Sequence, residues 1–253
     1  MDKSNQQMCF LLKFGKKEHM EALMCGNLYM HTLEYFINLE RNQGNQIAGD
    51  QYEAKYLTND ATLVIPDVKT HRPTIPIECS EAVIDMGMSK CPVFCAYLFD
   101  ERNRIQPDIL APCDENGTLL PAKRYGFSDD QKENMRAFGD SVVMITNPHE
   151  FIARIRKAAS SNETEAFYSR VQYYRKNDAL YKESIQSNPH TVVFWKRDKY
   201  QNQQEYRIYL SSSVTNGSDH LSINIGSVYD IAQILPASDL LDGEIWRQEK
   251  ISI

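Results

Sequence analysis

The chain has 253 residues, of which 42% are hydrophobic and 25% charged, and its formal net charge at pH 7 is -6. A chain of this length can bury a sizeable core, and the composition is ordinary for a globular protein. Domains that coat nucleic acid are basic, so the acidic balance disfavours extended nucleic-acid binding. No apolar run approaches the roughly 20 residues that cross a bilayer, so we expect a cytoplasmic protein without a membrane partner.

The first predicted elements are a strand at Cys9–Gly15 and then a helix, because Met20, Leu23 and Met24 have helical spacing. A second amphipathic helix is predicted to begin near Pro148, which suits the first turn of a helix. Segments rich in β-branched and aromatic residues predict roughly eight to ten strands against about three or four helices. Strands and helices do not alternate strictly. The predicted fold is therefore α+β, with a mostly antiparallel mixed sheet.

The organisation of the chain is predicted to be one α+β domain over residues 1–253, since no repeat or low-complexity linker divides it. The segment near residues 100–131 contains several prolines, glycines and acids. This composition predicts a long irregular excursion, and a loop of that length often shapes a binding site.

Metal and cofactor motifs are largely missing from the sequence. It has no Walker loop, no G-x-G-x-x-G, no G-x-S-x-G and no His-Glu-x-x-His, so a Rossmann-type site and metal hydrolysis are disfavoured, and no metal is expected. The six cysteines include no Cys-x-x-Cys pair. Cys91 and Cys95 stand four apart on a predicted strand, about 13 Å between Cα atoms, too far for one disulfide. We expect buried reduced thiols.

Two segments near opposite ends of the chain combine aromatic rings with acids, bases and amides. The first covers Lys13–Glu53 and the second covers Trp195–Tyr209. A buried polar group needs a hydrogen-bond partner, so a core segment rarely carries so many of them. Because a pocket collects its polar groups from distant parts of a chain, we expect the two segments to converge and line one pocket.

The sequence QNQQEYRIYL in the second segment predicts a strand. Its alternation places one polar set on one face, Gln203, Glu205 and Arg207. The opposite face, expected to meet the core, carries Tyr206, Ile208 and Leu210. Two interpretations stay open for the polar face. It lines a cleft in which the Glu205 carboxylate accepts a hydrogen bond from a ribose hydroxyl, or it is a solvated face where Glu205 pairs with Arg207.

The first segment ends in Gly-Asp-x-x-Glu, with Asp50 and Glu53 three residues apart. This pattern favours a helix cap, in which Asp50 satisfies free backbone N–H groups and Glu53 completes a capping box. The alternative is a loop that binds a cation or positions a substrate hydroxyl. Independently of either, a partly buried Arg207 needs a carboxylate, so we expect it to pair with Asp50 or Glu53.

The order of strand, helix, Gly and short aromatic strand, followed late by Gln203-Gln204-Glu205, resembles the NAD-dependent ADP-ribosyltransferases. The resemblance implies NAD as cofactor and cleavage of its nicotinamide–ribose bond, with transfer to an unknown macromolecular acceptor. It implies that Glu205 supplies the catalytic carboxylate and that Gln203 orients the acceptor. The rings implied to hold the base are those of Tyr29 and of Tyr35 or Phe36. Lys13, where the family usually has Arg or His, or Arg207 is implied to neutralise the pyrophosphate.

A second resemblance covers both ends of the chain. The stretch from Leu28 to Phe36, the stretch GDQYE at 49–53 and the late Glu205-Tyr206-Arg207 are similar to uncharacterised bacterial and phage proteins found near defence genes or mobile elements. That likeness implies a setting in phage–host conflict but no activity. The alternative function is therefore a non-catalytic ligand-binding or protein-interaction domain of a defence system.

Overall fold

The fold is described by a computed structural model that covers residues 10–45, 47–58, 61–63, 70, 77–79, 82–112, 117, 119–175, 178–212, 214, 217–243 and 245–248. Within these ranges the chain forms six α-helices, three 3-10 helices and 17 strands. The predicted α+β class is confirmed, whereas the predicted three or four helices are too few. Four of the six α-helices have only six to nine residues, which leaves little room for a clear helical period in the sequence.

The α-helices are α1 (Lys17–Met24), α2 (Leu33–Gln43), α3 (Asp129–Arg136), α4 (Pro148–Ser161), α5 (Ala179–Ser187) and α6 (Ala237–Asp242). The 3-10 helices cover Glu101–Asn103, Pro189–Phe194 and Asp198–Gln203. No helix among the described residues combines the length and the apolar character that a membrane-spanning helix needs.

The strands of the main sheet are β1 (Phe10–Gly15), β2 (Asn27–Thr32), β7 (Pro92–Phe99), β10 (Ser141–Ile145), β11 (Ala166–Arg170), β14 (Glu205–Leu210), β15 (His220–Asn224) and β16 (Ala232–Pro236). The remaining strands are β3 (Lys55–Thr58), β4 (Ala61–Leu63), β5 (Ile77–Cys79), β6 (Ala82–Asp85), β8 (Arg104–Pro112), β9 (Leu119–Tyr125), β12 (Gln172–Tyr174), β13 (Trp195–Arg197) and β17 (Ile245–Gln248).

The main sheet has eight strands, and each of its pairs is antiparallel. Its order is β11-β14-β7-β1-β10-β16, with β2 joining β7 to β15. The long strand β7 is the centre, because β14, β1 and β2 all pair with it. This arrangement brings the first polar segment, on β1 and β2, and the second, on β14, to the two sides of one strand.

Both faces of the central strands of the main sheet are buried. Neighbouring residues along its strands enter different hydrophobic clusters: Leu11 packs with Leu98 against α4, whereas Leu12 packs with Tyr97 against α6. Every residue of β14 is buried. A strand covered on both faces cannot leave its polar side chains in solvent, so the charged groups of β14 must find partners inside the protein.

The segment near residues 100–131 is not the irregular excursion that its composition predicts. It contains a 3-10 helix and the antiparallel hairpin of β8 and β9, to which β17 adds a third strand. Pro107 and Pro112 are accommodated because β8 lies at an edge of this small sheet and its pairing is interrupted between Ile105 and Ile109.

Capping residues fix where α2 begins and ends, and α2 carries two of the candidate aromatic residues. Thr32 ends β2 and begins α2 as its N-cap, with its hydroxyl accepting from the Tyr35 N–H at 3.3 Å. Gly44 ends α2 in the left-handed region, at φ 66°. The first turn of α2 thus carries Tyr35 and Phe36 directly after the strand that carries Tyr29.

Candidate functional site

A cleft of about 350 Å³ lies where β1, β7 and β14 meet α2. Residues of both polar segments line it, including Lys13, Tyr35, Phe36, Gln203 and Glu205. Arg207 also reaches its wall. The expected convergence of the two segments on one pocket is therefore confirmed. β14 and β1 both pair with β7 in antiparallel orientation. This pairing explains the convergence, because it brings polar side chains of both segments to the same cleft.

A second cavity of about 320 Å³ adjoins the first. The two share seven lining residues, among them Lys13, His31, Phe36 and Cys95, so they meet at these side chains. Tyr29 lines the second cavity and not the first, which separates it from Glu205. The space as a whole suits a ligand with two parts better than a single compact one.

The floor of the cleft is a buried cluster of four charged side chains centred on Arg207. Its guanidinium donates to both oxygens of Glu53, at 2.6 and 2.8 Å, and to both oxygens of Glu205, at 2.5 and 3.3 Å. The fifth bond goes to the carbonyl oxygen of Val193 at 2.7 Å. A guanidinium has five N–H groups, so each is used. The predicted pairing of Arg207 with Asp50 or Glu53 is confirmed for Glu53.

Lys196 completes this cluster. Its ammonium lies 2.9 Å from Gln203 Oε1, 3.3 Å from Glu205 Oε2 and 3.4 Å from Glu53 Oε1. Burial alone would lower the pKa of Lys196, but attraction to Glu205 and Glu53 raises it above the ordinary value. Lys196 is therefore a charged lysine held inside the protein. The sequence Lys-Arg-Asp-Lys at 196–199 does not indicate that Lys196 is buried, because its burial depends on residues far away in the chain.

Glu205 is a buried carboxylate that stays ionised. Burial would raise its pKa, but Arg207 and Lys196 hold the pKa well below the ordinary range of glutamate. The same charge acts on Cys95, whose thiol pKa rises to about 12, through burial first and Glu205 second. Glu205 can therefore accept hydrogen bonds and stabilise positive charge near neutral pH, but it cannot donate a proton. The polar face is not solvated, because Glu205 is 6% and Arg207 1% exposed, but the pairing of Glu205 with Arg207 that this interpretation contained is confirmed.

The alternation predicted along QNQQEYRIYL holds only from Glu205 onward. Tyr206, Ile208 and Leu210 enter the hydrophobic core as expected. Gln203, by contrast, ends a 3-10 helix, and Gln204 takes a left-handed conformation at φ 38°. The strand β14 therefore begins only at Glu205. Placing Gln203 on the strand was wrong, because a non-glycine residue at positive φ leaves no sequence signal.

Gln203 nonetheless lines the cleft, and both ends of its amide are occupied. Its Oε1 accepts from Lys196, and its Nε2 donates to the carbonyl oxygen of Ile47 at 2.5 Å. The residue thus ties the loop after α2 to the charged cluster. Its placement supports a role in holding Lys196 beside Glu205.

Asp50 and Glu53 do not cap a helix, so that prediction was wrong. Residues 51–54 form a turn, in which Asp50 Oδ1 accepts from the Tyr52 N–H at 3.0 Å. The Asp50 carboxylate also pairs with Arg197 at 2.6 Å. Glu53 points inward to Arg207 instead of back to the chain. The two acids therefore bind two different arginines of the second segment, and together they fasten the early loop to the late chain.

An aromatic wall flanks the charged floor. The His31 and Tyr35 rings are stacked with centroids 3.6 Å apart, and Phe36 meets both edge-on. Tyr29 stacks on His220 at the far side of His31. Burial lowers the pKa of His31 to about 4, although Asp219 raises it, so the imidazole is neutral at pH 7. The three rings of the first segment were predicted from the sequence, but His31, which contacts all three, was not.

Lys13 lies where the two cavities meet. Its ammonium donates to the carbonyl oxygen of Cys95 at 2.8 Å and sits 4.9 Å from the centre of the Phe94 ring. Burial lowers its pKa, against smaller opposing effects of Cys95 and Glu205. The pKa of Lys13 is thus lowered and that of Lys196 is raised, although both lysines line one cleft.

The charged side chains that line the cleft are mostly cationic. Among the described lining residues, Lys13, Lys16, Lys196 and Arg207 are four cations, and Glu205 is the one carboxylate. Such an excess attracts an anionic ligand, and the surrounding rings offer flat surfaces for an aromatic base. In the described part of the chain, no group of three or more His, Cys, Asp or Glu side chains is placed to hold a metal ion.

Comparison of the chain with models of known protein families, with curated proteins and with solved structures found no match.

Proposed function

We propose that the cleft binds NAD and that the protein is ADP-ribosyltransferase-like, cleaving the nicotinamide–ribose bond and passing ADP-ribose to a macromolecular acceptor. One observation carries this proposal. The ionised carboxylate of Glu205 lies in a cleft whose other charged groups are cationic and whose wall is a stack of aromatic rings. A dinucleotide presents two bases, two riboses and a pyrophosphate, which match rings, a hydrogen-bond acceptor and cations in turn.

The proposed reaction breaks the bond between ribose C1′ and the nicotinamide nitrogen, and the electron pair leaves with nicotinamide. The ribose then carries positive charge in an oxocarbenium-like state. Because Glu205 stays ionised, it can accept from a ribose hydroxyl and stabilise that charge. A nucleophilic atom of the acceptor, or of water, completes the step by bonding to C1′ and losing its proton.

The other residues take roles that follow from their contacts. Arg207 has no free N–H for a phosphate, so its proposed role is to hold Glu205 in place. Lys13 and Lys16 are the cations offered to the pyrophosphate, because neither is committed to a carboxylate among the described residues. Tyr35 and Phe36 are proposed to hold one base beside the charged floor, and Tyr29 the other in the second cavity.

A second candidate function is a non-catalytic ligand-binding domain, and one observation favours it. Both oxygens of Glu205 already accept from Arg207 or Lys196, which lowers the net charge available to an oxocarbenium ion. In that case the four-residue cluster is a structural floor beneath a nucleotide-binding cleft. A setting in phage–host conflict is proposed for either candidate on the resemblance of the two ends of the chain alone.

The test incubates the purified protein with NAD and measures released nicotinamide by chromatography, in parallel with calorimetric binding of NAD. We expect nicotinamide release, and a loss of about 100-fold or more in Glu205→Gln. Glu150→Gln, which changes a half-exposed glutamate on α4, is the matched control and should retain the activity. Circular dichroism checks that each variant is folded.

The outcomes separate the two candidates. Binding of NAD without nicotinamide release, with and without cell extract as a source of acceptor, would favour the non-catalytic domain. Release that persists unchanged in Glu205→Gln would remove Glu205 from the mechanism. Absence of binding by NAD and by simpler nucleotides would contradict both candidates.

A further inference from the structure

Two of the three lysines that line the cleft, Lys13 and Lys196, have different surroundings. Lys196 contacts two carboxylates, those of Glu53 and Glu205. Lys13 forms no ion pair among the described residues, and its ammonium hydrogen-bonds to a backbone carbonyl and faces the Phe94 ring. A partly buried lysine without a counter-ion is costly as a cation, because removal from water disfavours its charged form.

We propose that Lys13 is a carbonyl-reactive amine, which captures an anionic aldehyde in the cleft as an imine. The inference rests on the cavity and on the contacts of Lys13, and it does not depend on NAD being the ligand. In the reaction the unprotonated Lys13 nitrogen adds to the aldehyde carbon, and loss of water leaves a C=N bond. No oxidant or reductant enters this step.

The position of Lys13 suits such a reaction. It lies on β1, a central strand of the main sheet, so its backbone is held rigidly. Its side chain lines both cavities, so a ligand in either one meets the amine. An ordinary lysine is unprotonated in only roughly one molecule in 2,500 at pH 7, because its pKa is about 10.4. Burial lowers the pKa of Lys13 and raises that fraction, with Cys95 and Glu205 as the nearby groups that oppose it.

The surroundings also define the class of ligand. Lys16 and His19 line the cleft beside Lys13 and can hold an anionic group such as a phosphate. Phe36, shared by the two cavities, offers a flat apolar surface next to it. An aldehyde that carries a phosphate, with or without an aromatic ring, therefore fits. The open-chain form of a ribose phosphate belongs to this class, and so does an aromatic aldehyde phosphate.

The test uses pyridoxal 5′-phosphate as the probe, with cyanoborohydride to reduce the imine to a stable amine. Modified lysines are located by peptide mass spectrometry in the wild-type protein, so no variant has to fold. We expect Lys13 to be modified at pH 7 at least about tenfold faster than Lys17, a lysine next to the cleft that is 71% exposed. Lys196 should stay unmodified, because two carboxylates keep it charged.

Two further measurements sharpen the result. Lys13→Arg keeps the charge but cannot form an imine, so it should lose the fast modification while the rate at Lys17 is unchanged. Inorganic phosphate at high concentration should slow the modification of Lys13 more than that of Lys17, since it competes for the cations of the cleft.

A rate at Lys13 equal to or below that at Lys17 would overturn the inference, as would modification of Lys196 in place of Lys13. Because the assay contains no NAD, either result leaves the NAD proposal untouched. Conversely, failure of the protein to release nicotinamide leaves this inference standing.

Discussion

Replacing Arg207 with Met removes the guanidinium that joins β14 to the loop after α2. The side chain is 1% exposed, and its five hydrogen bonds go to Glu53, Glu205 and Val193. Met occupies a similar length, so the loss is mainly electrostatic. Glu53, with no exposed side-chain surface, keeps only the contact with Lys196 at 3.4 Å. Removing one partner of a buried ion pair costs about 3–5 kcal/mol, because the carboxylate that remains inside the protein is then poorly compensated.

The expected loss of about 4 kcal/mol corresponds to a fall in Tm of roughly 8–16 °C for a domain of this size. Thermal and urea unfolding, both followed by circular dichroism, measure it. Arg136→Met is the matched control, because the Arg136–Asp242 pair is half-exposed on both sides. An exposed pair contributes about 0–1 kcal/mol, so the control should unfold close to the wild type.

A double variant identifies the cause of the loss. Adding Glu53→Gln to Arg207→Met neutralises the stranded carboxylate, so the double variant should be more stable than Arg207→Met alone, by about 1 kcal/mol or more. If Arg207→Met unfolds with Arg136→Met, the buried cluster contributes little. If Glu53→Gln only adds a further loss, the cost of Arg207→Met is one of packing and not of charge.

Two more predictions concern the pH dependence of stability and one close backbone contact. In the folded protein the pKa of Glu205 lies well below its ordinary value of about 4.3, so its stabilising contribution is full above that pH and is lost as the pH falls below it. Glu205→Gln should therefore weaken the loss of stability between about pH 5 and pH 3, by up to about 1.4 kcal/mol per pH unit, and parallel urea-unfolding curves would contradict this. Gly139→Ala should cost clearly more than Gly44→Ala in thermal unfolding, because a Cβ at Gly139 would lie 2.1 Å from a backbone carbon of Gly15, whereas Gly44 meets nothing within 4 Å. Both glycines have positive φ, which alone costs about 1–2 kcal/mol, so equal losses would mean that the backbone shifts at no cost.

The residues of β14 show what a local sequence pattern can predict and what it cannot. Tyr206, Ile208 and Leu210 were placed in the core from their spacing, and they are there, because a strand repeats every two residues whatever surrounds it. Gln203 was assigned to the same strand and is not part of it. The turn at Gln204 depends on contacts with other segments of the protein, and no glycine at this position indicates it in the sequence.

The partner of Arg207 was narrowed by the sequence to Asp50 or Glu53, because a buried guanidinium requires a carboxylate. The choice between them needed the fold, in which Arg197 takes Asp50 and leaves Glu53 to Arg207. The helix cap predicted for the two acids was wrong because residues 51–54 form a turn, and each carboxylate pairs with an arginine far away in the chain.

By itself the sequence determined the α+β class, the strands with a clear period and the two polar segments from which the cleft is built. The tertiary structure decided which ionisable groups in the cleft are paired. Arg207 and Glu53 are 154 residues apart in the chain, and Lys13 and the carbonyl of Cys95 are 82 apart. Lys13 and Lys196, two residues of the same type in one cleft, thus have pKa shifts in opposite directions. A side chain's charge depends on burial and on the charges within a few ångströms, and both are set only when distant strands come together.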